Sequence, residues 1–218
     1  MKTDSAHLYW TEEWRRADEN SVWARPESEV LDHAQGFAPG AAVLDLGAGI
    51  GRHALALARQ GLSVSAIDAA PDAIAAIERV AVAEHLDLRV LLAPMTALPF
   101  EDACFDHAIA WNVIYHGDET IVRRTFAELA RVLRPGGTLI ATMLSARRLP
   151  VEQAKAEGHE ISPNTWVFTG EGDKVHPHYF CDARGLLGLM PDFEIWSLRD
   201  QEHDKPGSWH WHFVAGRL

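Results

Sequence analysis

The sequence has little cysteine and no long apolar run. Its 218 residues include two cysteines, Cys104 and Cys181, which stand far apart and do not form a metal-binding spacing. A disulfide framework is therefore not expected, and a reducing cytoplasm is the compartment that this composition indicates. No stretch approaches the roughly 20 apolar residues that cross a bilayer, and residues 1–10 lack the apolar core of a signal peptide. We therefore expect a cytoplasmic protein without a membrane partner.

Clustered basic residues are scarce as well. The formal net charge is -11, whereas a nucleic-acid surface needs grouped lysines and arginines to neutralise phosphates. The compact basic pairs are Arg15-Arg16, Arg123-Arg124 and Arg147-Arg148, and such pairs are typical of solvated faces. Nucleic acid is therefore not an expected partner. A small-molecule substrate is expected, with the chain acting as a monomer or a homodimer.

Short apolar runs alternate with helix-forming segments through the middle of the chain. Strands are predicted over residues 41–46, 62–67, 88–92, 105–111 and 138–144, and helices over 52–60, 73–84 and 119–133, with a turn at 134–137. Strands and helices that alternate at this spacing form βαβ units, which give a parallel sheet covered by helices on both faces. The sequence therefore predicts an α/β fold.

The flanking segments have different patterns. Residues 1–39 are aromatic and charged, which predicts one or two helices and an N-terminal helical lid over a cofactor-binding core at 40–144. Residues 145–218 are predicted to cover the substrate and to end in strands. Within them, 146–178 has little periodicity and is expected to be irregular, 182–189 predicts a short helix, and 193–198 with 209–214 predicts an antiparallel pair. The length favours a single domain over 1–218.

A glycine-rich turn follows the first predicted strand. Gly47, Gly49 and Gly51 permit a tight turn and a close approach of ligand to backbone. Asp68 ends the second strand, where a carboxylate can accept hydrogen bonds from both ribose hydroxyls. A dinucleotide fingerprint would place its third glycine at Arg52, and Asp45 would repel a pyrophosphate. The turn therefore favours a ligand that has an ammonium group and no phosphate.

Three motifs in order give the chain a family resemblance. Residues 43–51 (VLDLGAGIG), 98–106 (LPFEDACFD) and 128–137 (ELARVLRPGG) resemble the signature stretches of class I S-adenosylmethionine (SAM)-dependent methyltransferases. The resemblance covers about residues 43–144. It implies SAM as cofactor and a Rossmann-like, seven-stranded, mostly parallel sheet with an antiparallel C-terminal strand. Residues 178–180 (HYF) and 210–212 (HWH) also resemble small bacterial methyltransferases of the tellurite-resistance-like group.

The resemblance also implies which residues hold the cofactor. The glycine turn would pass around the methionine part of SAM with Asp45 near its amino group, Asp68 would hold the ribose, and Ala69 would line the adenine pocket. Relatives often carry an acidic residue where this chain has Pro94, so adenine contact is assigned to Met95. The cofactor-binding set is Asp45, Gly47, Ala48, Gly49, Gly51, Arg52, Asp68, Ala69, Met95, Thr96 and Asn112.

Histidines near the predicted cofactor site are candidates for work on the methyl acceptor. His116 follows the fourth strand, at the sheet end where this fold class places ligands, and imidazole titrates near neutral pH. His178 and Tyr179 close the irregular segment that should cover the same end. The three are predicted to orient the acceptor or to act on its proton. No metal is expected, because Pro177 interrupts the pair of histidines at 176 and 178 and no close cysteine or acid completes a zinc set.

Three functions stay open on the sequence alone. The first is methyl transfer from SAM to a small molecule, with a thiol or another soft nucleophile as acceptor. The second is a nucleotide-dependent oxidoreductase on a Rossmann-like sheet, which the glycine spacing disfavours. The third is a SAM-binding module without catalytic activity, because a fold does not by itself establish a reaction.

Overall fold

The computed structural model describes residues 4–18, 20–203 and 205–218, so the first three residues of the predicted lid lie outside it. The described residues form ten strands: β1 (Ala42–Leu46), β2 (Ser63–Asp68), β3 (Leu88–Leu92), β4 (Phe105–Ala110), β5 (Leu133–Ser145), β6 (Gly158–Ser162), β7 (Thr165–Phe168), β8 (His178–Cys181), β9 (Phe193–Glu202) and β10 (Trp209–Arg217). They form seven α-helices: α1 (Ala6–Arg16), α2 (Ser28–Ala34), α3 (Arg52–Arg59), α4 (Pro71–Glu84), α5 (Glu119–Val132), α6 (Leu149–Lys155) and α7 (Ala183–Leu189). None of these helices is long and apolar enough to cross a membrane.

Seven of the strands make the central sheet that the sequence predicts. Their order is β3-β2-β1-β4-β5-β10-β9. The pairs from β3 to β5 are parallel, and β10 runs antiparallel to both β5 and β9. The α/β class, the mostly parallel sheet and the antiparallel C-terminal strand are confirmed. The chain reverses its direction of winding between β1 and β4, and such a switch point leaves a crevice at the carboxyl ends of the two strands.

Alternating side chains divide the core between the two faces of the sheet. In β1, Leu44 packs into one hydrophobic cluster with α5, while its neighbour Val43 packs into a second cluster with α3 and α4. This follows from the period of two in a strand, which sends successive side chains to opposite faces. Because both faces are buried, β1 is apolar along nearly its whole length apart from Asp45.

The segment 146–178 departs from the predicted irregular structure. It contains α6 and a hairpin of β6 and β7, and it ends at β8, which pairs antiparallel with β7. β8 also pairs in parallel with Leu144 and Ser145 of β5, beyond the point where the pairing of β4 with β5 ends. The prediction was wrong because these strands are four or five residues long and carry polar side chains, so they show no period.

The predicted turn at 134–137 lies inside the bounds of β5. The pairing of β4 with β5 is interrupted there, since Phe105 lies opposite Leu133 while His107 lies opposite Thr138. Gly136 within the interruption has a φ of +76°, which glycine adopts without steric cost. The turn residues are therefore not paired with β4, and the pairing resumes at Thr138.

The packing of α5 against the C-terminal strands should dominate stability on its face of the sheet. Phe126 of α5 is 1% exposed, and its ring lies 6.4 Å from that of Phe193 and 6.3 Å from that of Phe213. Phe126→Ala should lower the free energy of unfolding by about 3–5 kcal/mol through the lost burial and the cavity left behind. Leu187→Ala, at a position 51% exposed on α7, is the control and should change it by less than about 0.5 kcal/mol. Equal effects in urea denaturation would contradict this account of the core.

Candidate functional site

A cavity of about 810 Å³ lies at the carboxyl ends of β1, β2 and β4. The glycine turn and the end of β2 form one side of it, and residues 111–116, which follow β4, form another. Tryptophans from α1 and from the segment after it complete the wall. The cavity therefore occupies the crevice that the strand order creates, which is where open α/β sheets bind their ligands.

The glycine turn leaves room that a side chain would fill. Gly47 and Gly49 have φ values of +67° and +55°, and both line the cavity. A Cβ on Gly47 would lie 2.3 Å from Val113 Cγ2, and one on Gly49 would lie 2.9 Å from Trp14 Cζ2. Glycine is thus required here both by the backbone conformation and because Val113 and Trp14 already occupy the space that a side chain would need. Such a cradle fits a ligand that passes close to the backbone.

Asp68 connects the end of β2 to this turn. Its Oδ2 accepts a hydrogen bond of 2.8 Å from the Gly49 amide, and its Oδ1 accepts one of 2.8 Å from the Ala70 amide. Burial raises the pKa of Asp68, and hydrogen bonds from the Ala70 and Gly49 amides partly oppose that rise. The carboxylate lines the cavity, and each oxygen keeps a further acceptor position for a ligand hydroxyl.

Asp45 is buried behind the turn. It is 1% exposed, and its Oδ2 accepts a hydrogen bond of 2.9 Å from the Ala54 amide in the first turn of α3. Burial raises the pKa of Asp45 to about 7, against the hydrogen bond from Ala54 and the charge of Arg52. The side chain does not line the cavity. In this structure it fastens α3 to the turn, in place of the predicted contact with an amino group.

The other predicted cofactor residues divide in the same way. Those that line the cavity are Gly47, Ala48, Gly49, Arg52, Asp68, Ala69, Met95 and Asn112. Gly51 and Thr96 do not line it, and their assignment to the cofactor stays a prediction. Gly51 packs against Ile77 and Leu55 of the helices behind the turn, and the carbonyl of Thr96 accepts a hydrogen bond from Arg124.

An aromatic roof closes the cavity on the side of the N-terminal segment. We use this name for Trp10, Trp14 and Trp23. The rings of Trp10 and Trp14 stack at 4.8 Å, and each meets Trp23 edge-on, at 5.3 and 5.7 Å. An ion pair of 3.1 Å between Arg15 and Asp72 connects α1 to α4. Helix α1 therefore covers the cofactor end of the cavity.

The predicted acceptor residues lie at different depths. His116 lines the cavity, and the edge of its ring faces Trp10 at 6.0 Å. His178 is fully buried behind it, where a backbone bridge pairs the two residues and their rings are 4.8 Å apart. Tyr179 lies in the core, outside the cavity, with its side chain hydrogen-bonded to Asn164. Tyr115 lines the cavity, whereas Tyr179 does not, and the acceptor role of Tyr179 stays a prediction.

Sequence reasoning missed Asp173, which lies beside both histidines. Its Oδ2 is 3.1 Å from His178 Nε2 and 3.8 Å from His116 Nε2. Burial lowers the pKa of His178 to about 4, although Asp173 acts in the opposite direction. The argument that no acid accompanies the histidines is therefore wrong. A single aspartate in a stretch without periodicity gave no signal, because only the fold brings residues 116, 173 and 178 together.

A second group of histidines lies at the rim of the cavity. His203 stacks on His210 at 3.8 Å between ring centroids, and its Nε2 is 2.7 Å from His212 Nε2. Burial lowers the pKa of His203 to about 3 and that of His210 to about 2. His212 also contacts Glu29 at 2.9 Å. The ring nitrogens of these histidines are paired with one another and with neighbouring groups, so they fit a structural role as hydrogen-bonded pocket histidines.

Comparison with known proteins places the chain in a family. Residues 43–137 match the model of a methyltransferase domain. A demethylmenaquinone methyltransferase of Renibacterium salmoninarum is 31% identical over 192 residues, which cover 81% of this chain and 72% of the relative. The chain belongs to the class I SAM-dependent methyltransferases. The cofactor of this family is SAM, and membership argues against a nucleotide-dependent oxidoreductase.

Other matches are partial or show the fold alone. An uncharacterized protein of Mycobacterium tuberculosis is 36% identical over 115 residues, 52% of this chain and 41% of that protein, so this match spans less than half of the relative. A 1,6-didemethyltoxoflavin-N1-methyltransferase of Burkholderia thailandensis, solved with S-adenosylhomocysteine, has a TM-score of 0.72 at 20% identity and covers 99% of this chain and 87% of its own. TehB of Haemophilus influenzae has a TM-score of 0.65 at 17% identity, and the match covers 98% of this chain and 67% of TehB. At these identities both solved structures show the fold alone.

The glycine turn gives a direct test of the cradle. Gly49→Ala should abolish SAM binding in calorimetric titration, because the added methyl group enters the space between the turn and Trp14. Gly61→Ala is the matched control, since Gly61 also has a positive φ, of +81°, but no atom lies within 4 Å of its added Cβ. Both variants carry similar backbone strain, so what separates them is the contact of the added methyl group with Trp14 and with the ligand. Equal SAM affinity in the two folded variants would refute the assignment.

The buried carboxyl of Asp45 should make stability depend on pH. Its folded pKa of about 7 lies above the ordinary value of 3.8, so above about pH 4 the folded state holds a proton that the unfolded chain has released. The free energy of unfolding should therefore fall as pH rises from 5 to 7, by roughly 2 kcal/mol from this group. Asp45→Asn keeps an acceptor for the Ala54 amide without titrating, so its curve should be flatter by that amount. Parallel curves in urea denaturation would exclude a raised pKa at Asp45.

Proposed function

We propose that this protein transfers a methyl group from SAM to a small molecule that carries a thiol or another soft nucleophile. The observation that supports this most is the single cavity that joins the glycine turn and Asp68 at one end to Tyr115 and His116 at the other. A donor and an acceptor held in one enclosed space meet the main requirement of a transfer reaction, which is alignment.

The cofactor end of the cavity suits each part of SAM. We propose that the methionine part passes the backbone of Gly47 and Gly49, that Asp68 accepts hydrogen bonds from the ribose hydroxyls, and that the adenine lies between Ala69 and Met95. Asn112 and Arg52 complete the wall. Bound SAM supplies an electrophilic methyl group on a sulfonium, so the work left to the protein is to orient the acceptor and to exclude water. The aromatic roof is suited to the second task.

The surroundings of His116 favour an acceptor that ionises without help. Its Nδ1 is 2.9 Å from the Val113 carbonyl and its Nε2 faces the carboxylate of Asp173. Nδ1 is thus paired with a carbonyl, and Nε2 is buried on the side of Asp173, which leaves the imidazole poorly placed to take a proton from an acceptor. A thiol ionises near neutral pH and needs little assistance from a base. We therefore assign His116 to orienting the acceptor, with His178 supporting it from behind.

A planar ring is a second candidate acceptor. The aromatic roof and Tyr115 line the cavity with aromatic rings. Aromatic rings pack favourably against one another, so these residues could hold a planar acceptor. The Renibacterium relative is named for demethylmenaquinone, which is a compound of this shape. This candidate rests on packing alone, whereas the arrangement at His116 favours the soft nucleophile.

The function can be tested with labelled SAM and a panel of thiols, phenols, amines, metalloid oxyanions and a demethylmenaquinone analogue. We expect label to appear in a thiol or another soft nucleophile. Asp68→Ala should weaken SAM binding at least tenfold, because hydrogen bonds to a charged group contribute about 1.5–3 kcal/mol each. Asp87→Ala, at an exposed position away from the cavity, is the control and should bind SAM normally. SAM binding without transfer to any compound of the panel would instead indicate a non-catalytic module.

A further inference from the structure

Three ligand-type side chains meet at the acceptor end of the cavity. They are His116 after β4, Asp173 in a short 3-10 helix, and His178 at the start of β8. One ligand atom from each lies within 4.8 Å of the other two. The backbone bridge between His116 and His178 fixes the distance between the two imidazoles, so the cluster is held by the fold.

The hydrogen bonds of both imidazoles direct the same nitrogen toward the cluster. His116 Nδ1 is 2.9 Å from the Val113 carbonyl, and His178 Nδ1 is 2.9 Å from the His176 carbonyl. A carbonyl oxygen only accepts, so each Nδ1 carries the ring proton. Each Nε2 then presents a lone pair. A hydrogen bond from Nδ1 to a backbone carbonyl is also the outer-shell arrangement that orients histidines on metal ions.

Those lone pairs face an oxygen that has no proton to offer. His178 Nε2 and His116 Nε2 lie 3.1 and 3.8 Å from the same Oδ2 of Asp173. His116 Nε2 is buried and makes no hydrogen bond with any residue that the structure describes. The other oxygen, Oδ1, lies 3.4 Å from Lys174 Nζ, so a cation is already present on that side. The two Nε2 atoms and Oδ2 are electron-rich, and they surround one point on the side of Asp173 away from Lys174. They repel one another unless a shared cation lies between them.

We propose that His116, Asp173 and His178 bind a divalent transition-metal ion, Zn²⁺ in the first instance, with an open coordination position toward the cavity. Zinc bonds to histidine nitrogen and carboxylate oxygen are about 2.0–2.2 Å, which sets tetrahedral ligands about 3.4 Å apart. The observed separations of 3.1 and 3.8 Å lie on either side of that value. Two histidines and one carboxylate with a free position form the ligand set of catalytic zinc sites.

The open position is what connects this metal to the reaction. His116 and Asp173 line the cavity while His178 lies behind them, so a fourth ligand would approach from the cavity. A thiolate is a preferred zinc ligand, and the metal would hold it at the acceptor end. This role rests on the function proposed above, whereas metal binding itself does not depend on it.

Metal binding can be measured without SAM or acceptor. The untagged chain, stripped with a chelator, is titrated with Zn²⁺ in competition with a chromophoric chelator, and we expect one equivalent to bind. Asp173→Asn and His116→Gln should each weaken the affinity at least about 100-fold, since the loss of an outer-shell partner alone costs about 10–100-fold. His159→Gln, at an exposed position on β6, should bind as the wild type does. No stoichiometric binding, or equal affinity in all variants, would overturn the proposal.

The role of the open position needs a separate readout. In the chain loaded with Co²⁺, addition of a thiol should produce a sulfur-to-metal charge-transfer band, and the band should be absent in Asp173→Asn. An unchanged spectrum would exclude a thiol on the metal. SAM affinity, compared in metal-free and Zn²⁺-loaded protein, should be the same, because the cofactor end does not include these ligands. Loss of SAM binding in both forms would count against the proposed function and leave the metal site standing.

Discussion

The hydrogen bond that Asp68 accepts from the Gly49 amide of the glycine turn is the constraint on which the site depends. It fixes the carboxyl end of β2 to the loop that follows β1, so the ends of β1 and β2 form one edge of the cavity. Asp45 does the same for the loop and α3. Each contact buries a carboxylate, which is costly without hydrogen-bond donors. The donors are backbone amides of the turn, of α3 and of the residues after β2, so the placement of both acids depends on the conformation of the backbone around the turn.

A second set of contacts builds the acceptor end from parts that are distant in sequence. The loop after β4 supplies His116, and the segment between β5 and β10 supplies Asp173 and His178. The segment reaches the loop because β8 pairs with the last residues of β5 and its backbone bridges to His116. The central sheet thus fixes the cofactor end, whereas the added hairpin fixes the acceptor end. The two halves of the cavity have separate structural origins.

The sequence predicts the first half far better than the second. The runs around β1, β2, β4 and β5 are apolar and regularly spaced, so the fold could be predicted from local pattern. The glycines together with Asp68 identify the turn. Eight of the eleven residues predicted to bind the cofactor line the cavity. Asp45, Gly51 and Thr96 belong to the same segments but face helices behind the wall, and a motif does not distinguish the two sides. The positions of Tyr179 and Asp173 depend on how β8 packs against β5 and β7. That depends on tertiary contacts, which short polar strands do not reveal.

The aromatic roof has a consequence for the time course of ligand exchange. Trp10 and Trp14 bury indole nitrogens that have no hydrogen-bond partner among the described residues, so the closed arrangement gives up hydration that an open one would recover. Ring packing, the partly exposed ion pair of Arg15 with Asp72, and a hydrogen bond of 3.0 Å between Ser5 and His176 hold α1 in place. We therefore expect entry of a ligand and departure of the product to involve movement of α1 away from α4. The residence time of a bound cofactor or product is then set by how often this helix detaches. It does not depend on how well the sheet beneath is packed.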